Sequence, residues 1–409
     1  MKPMGPIPPG FSADASGRLL IGGRDVDALI ADAGDTPLFV YDLAMIRSQI
    51  AALRAALPSE VALHYAIKAN PMPTLVAAMN TLVDGLDVAS EGEMRIALDA
   101  GASHISFAGP GKRDRELEAA IESNVTLNLE SEGEANRALS IASKLGMQPQ
   151  LAVRVNPDFD LRGSGMRMGG GAKPFGVDAS KVPALVKRLI AAGADWRGFH
   201  IFAGSQALDA GAISETQGNT ILLAADLSDA IGAAPPLVNL GGGFGIPYFP
   251  GDTPVDIQAV GARLADQLEH RREVLRDTMF AIELGRYLVG EAGVYLTRIV
   301  DRKVSHGETF LVVDGGMHHQ LAASGNFGTV VRRNYPLANA SRFANPADET
   351  VSVVGCLCTP LDLLGNQIML PRSEPGDVLA VFVAGAYGRS ASPTGFLGHP
   401  DPTEMVVNG

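Results

Sequence analysis

Short apolar runs rich in β-branched residues recur along the chain at 62–67, 85–88, 105–108, 126–129, 151–155, 198–202, 237–240 and 280–283. Most are separated by stretches with apolar residues at helical spacing, at 73–80, 91–100, 115–122, 132–144, 181–192 and 255–272. Strand-like and helical periods that alternate in this way predict βαβ units and a parallel sheet. Eight strands within about 220 residues fit a closed (β/α)8 barrel better than an open doubly wound sheet. A helix over 43–57 precedes the first of them. Beyond about residue 288 the pattern changes: 294–304, 309–313, 351–356 and 378–383 read as strands, with a helix only around 360–364. The Pro/Gly-rich first 37 residues hold one strand, at 19–21. The expected class is α/β, with a barrel over 38–288 and a β-sandwich or β-barrel domain made by 289–409 together with 1–37.

Composition narrows the function. The formal charge of −12 argues against an electrostatic footprint for nucleic acid or for an anionic membrane. The longest apolar run, 378–386, is about half of the ~20 residues a membrane helix needs, and the first residues lack the apolar stretch of a signal peptide. The two cysteines, Cys356 and Cys358, are two positions apart, where a bridge would be strained, so a reduced, cytoplasmic protein is expected. The 47 glycines are an excess that points to tight turns or to backbone approaching a ligand closely.

Barrel enzymes carry their chemistry at the carboxyl ends of the strands. Those ends here are unusually polar or glycine-rich: Lys68 and Asn70 after the first, His200 and then Gly204-Ser205-Gln206 at the sixth, Gly241-Gly242-Gly243 after the seventh, Glu283-Leu284-Gly285-Arg286 at the eighth. A lysine at the end of an apolar strand is expected to be partly desolvated, which favours the neutral amine and Schiff-base chemistry. Glycines after strand seven with an arginine after strand eight match the common barrel phosphate site. A buried Glu283 needs a partner, either a protonated ring nitrogen or an ion pair such as one with Arg154. Lysine, phosphate cradle and carboxylate together describe pyridoxal phosphate.

From residue 38 to about 400 the chain resembles the fold-type III pyridoxal-phosphate decarboxylases of diaminopimelate, ornithine and arginine. The motifs are Tyr65-Ala66-Ile67-Lys68-Ala69-Asn70, Gly204-Ser205-Gln206, Gly241 to Gly245, Glu283 to Arg286, and Gly385-Ala386-Tyr387. The resemblance implies that Lys68 carries the cofactor as a Schiff base and that Glu283 holds the ring nitrogen. It places Ser205, Gly241, Gly242, Gly243, Gly285, Arg286 and Tyr387 around the phosphate. Cys358 matches a family cysteine that reaches the active site from the other subunit, which implies a homodimer with shared sites, and leaves Cys356 as a core residue.

Three departures bear on the substrate. Thr359 stands where diaminopimelate and ornithine decarboxylases have an acidic residue that pairs with the distal ammonium, so a free diamino acid is not the expected substrate. Phe202 replaces a histidine stacked on the cofactor, with His200 two residues earlier as a catalytic or supporting group. The stretch from Gly315 to Tyr335 carries Arg332 and Arg333, suited to a carboxylate or a phosphopantetheine arm. It also carries His318 and His319, whose adjacent side chains diverge on a strand, so no metal is expected. These features resemble the branch that includes the butirosin-biosynthesis decarboxylase acting on glutamyl carrier protein and the exosortase-associated decarboxylases. The alternatives are a diaminopimelate decarboxylase, an amino-acid racemase, and a non-catalytic pyridoxal-phosphate-binding protein. Retention of Lys68, Glu283 and Cys358 favours an enzyme.

Overall fold

All eight expected barrel runs are strands in the computed structural model, which describes residues 1–163, 165–325 and 332–409. They are β1 (Val61–Ala66), β2 (Gly85–Val88), β3 (Ile105–Phe107), β4 (Thr126–Leu129), β5 (Gln150–Asn156), β6 (Asp195–Ile201), β7 (Leu237–Asn239) and β8 (Met279–Leu284). Each is parallel to the next, and β8 pairs with β1 through Phe280–Val61 to Leu284–Tyr65, so the sheet closes. Helices Pro73–Asn80, Glu91–Asp99, Asp114–Glu122, Glu132–Leu145, Val182–Ala191 and Ile257–Glu269 fall where the apolar spacing predicts them. Ser90 and Ser131 start two of these by accepting the N–H groups of Glu93 and Glu134, a local signal written in the sequence.

One barrel helix escapes the pattern. Ala210–Ile231 is 22 residues long and rich in Gly, Ser and Thr, residues that ordinarily compete with helix. Here Thr216, Thr220 and Ser228 hydroxyls donate to the carbonyls four residues earlier, so these hydroxyls are satisfied within the helix.

Inside the barrel unit lies a charged core that apolar patterning cannot reveal. Lys112 Nζ donates to Gly109 O (2.8 Å), Asn128 O (2.9 Å) and Glu134 Oε1 (2.8 Å), with both charged side chains almost wholly buried. Removing one member of such a pair strands the other charge. Lys112→Met is therefore expected to destabilise the fold by about 3–5 kcal/mol, read from urea unfolding; a change under about 0.5 kcal/mol would contradict the pairing.

The chain divides into two compact units, Ile50–Ile246 with Pro254–Gly285, and Met1–Gln49 with Pro247–Thr253 and Arg286–Gly409. The boundaries therefore fall at 49/50 and 285/286 rather than at 38 and 288. The reason is the strand Leu38–Asp42, which hydrogen-bonds to Gly293–Ser305 and to Thr403–Val407 in an eight-stranded sheet of the second unit. The expected helix near 360–364 is absent. Leu363–Leu370 is a strand antiparallel to Glu349–Val354, because Leu364, Ile368 and Leu370 bury their side chains on that sheet. The expected strand at 19–21 forms, in its own three-stranded meander with Ser12–Ala13 and Arg24–Asp25.

Candidate active site

Lys68 follows β1 in a single turn of 3-10 helix, Ile67–Ala69. Its side chain is exposed in the single chain, so the barrel does not desolvate it as the sequence predicts. The ammonium instead stands 5.4 Å from the centroid of the Phe202 ring, at the end of β6. Phe202 thus supplies a flat apolar face beside the amine, in a place where the resemblance calls for a stacked histidine.

Glu283, near the end of β8, is buried, with Oε2 2.9 Å from His200 Nε2 and 3.3 Å from Asn239 Nδ2. Burial alone would raise its pKa; the charge of His200, reinforced by Lys68 and Arg154, outweighs it and holds the carboxyl well below the usual range. The alternative ion pair with Arg154 does not form. Arg154 Nη1 binds Glu130 at 2.8 Å, and Glu130 also accepts the N–H groups of Gly109 and Gly176. His200, Lys68 and Arg154 thus keep the carboxylate of Glu283 ionised, as a partner for a ring N–H requires. His200 is 3% exposed and reaches this site through Glu283.

The glycines after β7 answer first to packing. A Cβ on Gly242 would sit 1.8 Å from Glu283 O, and Gly241 and Gly243 have φ of +71° and +83°. Gly285 is similarly confined, with Ala69 Cβ 2.8 Å from where its own would lie. This tight backbone is clamped to the Ser205 turn. Ala207 donates to Gly243 O, and Gly245 donates to Ala207 O. Gln206 Nε2 donates to Ile246 O (2.7 Å), while its Oε1 accepts the Ile246 N–H (3.2 Å). Ser205 is thereby held beside the glycine run by a residue whose function the sequence does not signal beyond its place in the motif.

Two further groups of the barrel unit receive no role from the sequence, although His64 and Asp87 stand at strand ends. His64 and Asp87 are buried 3.5 Å apart; burial opposes charge on His64, but Asp87 and then Glu283 outweigh it and raise its pKa. Glu93 accepts the Ala89 N–H at 2.8 Å, and its charge interacts with that of Lys68.

In the second unit, Arg286 opens the helix Arg286–Val289 directly after Gly285. Its Nη1 donates to Tyr248 Oη at 2.6 Å, and its guanidinium stacks 4.6 Å from the Tyr387 ring. Its buried Nε has no hydrogen-bond partner among the described residues, an orphaned donor suited to an anion. Tyr387 itself is held at φ +52°, an uncommon conformation that concentrates at functional sites. Tyr248 extends this cluster to Tyr335 at 5.0 Å, and Tyr335 to Phe249 at 5.8 Å. The signal for Tyr248 and Phe249 was available only as two aromatics trailing a glycine-rich turn.

Arg332 and Arg333 do not act as one pair. Arg333 stacks 3.8 Å from the Phe249 ring centroid, whereas Arg332 Nη2 donates to Leu361 O at 3.2 Å, in the loop of Cys358 and Thr359. Cys358 is exposed and Thr359 half-buried. Asn326, of the same polar stretch, lies outside the described residues. Cys356 is not an inert core residue: it is half-buried, with Sγ 3.7 Å from His399 Nδ1. Burial, with Asp362 nearby, pushes its thiol up to about 11.

The barrel unit offers the amine of Lys68 and the ionised buried carboxylate of Glu283, and the other unit an arginine with an orphaned donor, Arg286: residue types that fit pyridoxal phosphate. With a closed (β/α)8 barrel and a separate β-sheet domain, they define the class of barrel-type pyridoxal-phosphate enzymes. Residues 43–290 match the family described as pyridoxal-dependent decarboxylase, pyridoxal binding domain. The chain belongs to this family: it is a pyridoxal-phosphate-dependent carboxy-lyase. It is 36% identical to the L-glutamyl-[BtrI acyl-carrier protein] decarboxylase of Niallia circulans, over 91% of this chain and 89% of that protein. It is 32% identical to the diaminopimelate decarboxylase of Methanothermobacter thermautotrophicus, over 98% and 92%. The solved diaminopimelate decarboxylase of M. jannaschii in complex with L-lysine superposes with a TM-score of 0.87 at 26% identity, covering 97% of this chain and 92% of that one. No helix among the described residues is long and apolar enough to cross a membrane.

Proposed function

We propose that the substrate is an amino-acyl group of the glutamyl class, carried as a thioester on a carrier protein, and not a free diamino acid. The observation that carries this reading is the loop from Cys356 to Asp362. Thr359 is uncharged, and the loop's one carboxylate, Asp362, is buried and accepts the N–H groups of Met317 (2.6 Å) and Leu357 (2.9 Å). That loop has no counter-charge to offer a distal ammonium, whose burial unpaired is costly. It holds Arg332 instead, a donor for a carboxylate or for the phosphate of a phosphopantetheine arm. The similarity to a glutamyl carrier-protein decarboxylase supports the same reading.

Pyridoxal phosphate, when bound, supplies the sink for the electron pair left as the carboxyl group departs. Lys68 offers the primary amine for its attachment. Glu283, kept ionised by His200, would hold a proton on the ring nitrogen, and Phe202 would offer its apolar face to the ring. Ser205, the three glycines and Gly285 offer phosphate contacts in the barrel unit, and Arg286 with Tyr387 in the other. Cys358, exposed on the single chain, is the acid that one protomer of a homodimer offers to the other's site, and two unpaired cysteines suit a cytoplasmic setting.

The test is CO2 release from diaminopimelate, lysine, ornithine, arginine, free glutamate and a glutamyl carrier-protein thioester. The expected result is a kcat/KM for the thioester that exceeds every basic amino acid by about a hundredfold or more. Turnover of diaminopimelate or lysine at comparable efficiency would overturn the assignment. Arg332→Ala is expected to raise KM for the thioester roughly tenfold with kcat nearly unchanged, as loss of a uniform binding contact does.

A further inference from the structure

His318 is fully buried, yet neither of its ring nitrogens has a hydrogen-bond partner among the described residues. A buried imidazole left in this state carries a desolvation cost that needs an explanation. Its neighbour does not share the problem. His319 Nε2 lies 3.0 Å from Pro400 O and must donate there, so its Nδ1 accepts from Tyr295 Oη at 3.1 Å. With both nitrogens used, His319 clamps the segment that bears His399 against the strand that bears Tyr295.

Around His318 stand two other ligating side chains. The ligand atoms of His318, Cys356 and His399 all lie within 4.8 Å of one another. Cys356 Sγ is 3.7 Å from His399 Nδ1 and 3.9 Å from its Nε2, while the His318 and His399 rings are 5.3 Å apart at their centroids. A sulfur–imidazole hydrogen bond accounts for Cys356 and His399, and the His318 ring packs 3.7 Å from that of His319, but neither leaves a hydrogen-bond partner for the His318 nitrogens among the described residues. One tetrahedral ion with Zn–S of about 2.3 Å and Zn–N of about 2.0–2.1 Å would set sulfur and nitrogen about 3.6 Å apart and satisfy all three.

The backbone around the cluster is braced as a metal site requires. Asp362 accepts the N–H of Met317, next to His318, and of Leu357, next to Cys356. One carboxylate thus ties together the two segments that bring the first two ligands, and His319 ties in the third. Such bracing orients ligands and tunes affinity.

We propose that His318, Cys356 and His399 bind one divalent transition-metal ion of the zinc class, with the fourth position open to water or an exogenous ligand. Three ligands of this softness select zinc or cobalt over magnesium or calcium. Cys356 and His399 are only half-buried, which leaves an approach for the ion and for the fourth ligand.

The experiment uses the full-length, cofactor-loaded protein with its affinity tag removed, stripped with a chelator and titrated with Zn²⁺ and Co²⁺. The expected result is one equivalent of either ion per chain, with Co²⁺ giving a sulfur-to-cobalt charge-transfer band and tetrahedral visible absorption. Cys356→Ser is expected to lose that band, and His399→Gln to lose stoichiometric uptake. Both residues are half-buried, so these variants decide the matter even where the buried His318→Asn fails to fold. Absence of uptake by the folded wild type, or uptake and spectrum unchanged in C356S and H399Q, would overturn the proposal.

Discussion

Lys68→Ala is expected to abolish CO2 release, with kcat reduced on the order of a thousandfold or more, and to remove the visible absorbance of lysine-linked cofactor. The described interactions of Lys68 offer no second amine to take its place: the Phe202 ring is apolar and Glu93 and Glu283 are acids. The fold should hardly notice. The side chain is exposed, and a cation–π contact at an exposed site is worth only about 0.5–1 kcal/mol. A variant with a native melting curve and no activity is therefore the expected outcome. Measurable turnover above roughly one per cent of the wild type would show that Lys68 is not the attachment point.

The second large effect is expected at Glu283. Glu283→Gln keeps the shape but removes the charge that holds a proton on the ring nitrogen, and kcat should fall on the order of 10²–10³ while KM moves little. The same change has a signature in stability. The carboxyl of Glu283 is lowered from an ordinary value of 4.5, so its stabilising contribution is fully present above that value and is lost as the pH falls through the lowered one. The stability difference between wild type and E283Q should then be largest near neutral pH and vanish in strong acid, measured by urea unfolding across pH. A kcat equal to the wild type, or a gap that widens in acid, would remove Glu283 from this role.

How far these roles could be read from sequence differs residue by residue. The strand-end positions of Lys68, Ser205, Gly241 to Gly243, Glu283 and Gly285 were legible because a barrel brings the ends of successive parallel strands to one rim, so position along each strand already implies proximity. The partner of Glu283 was not legible. The ion pair that the strand ends suggested was with Arg154, and packing decided instead that Arg154 goes to Glu130 and His200 to Glu283. Exposure of Lys68 also ran against expectation, because the one-turn helix after β1 turns the side chain out of the barrel's apolar surroundings. The two adjacent arginines looked like a unit in the sequence; a stacked Phe249 and a carbonyl at Leu361 separate their tasks. Adjacent His318 and His319 do not diverge as expected: they lie in a turn and not on a strand, with ring centroids 3.7 Å apart, and His318 meets Cys356 and His399, 38 and 81 positions further along the chain.

Periodicity and residue type alone determined the class: strands and helices alternate because apolar side chains at period 2 and near 3.6 can be buried only in those forms, and eight parallel strands close a barrel. The strand-end motifs were enough for the cofactor, since their chemistry is carried by residue type. Tertiary structure alone decided which charges pair, which backbone belongs to which unit, and which side chains from distant segments share a site. Leu38–Asp42 joins the β-sheet unit, and a polar, glycine-bearing segment becomes the helix Ala210–Ile231, because long-range hydrogen bonds and burial outweigh local preference. Pairings across hundreds of residues depend on three-dimensional packing, and no local pattern in the chain encodes them.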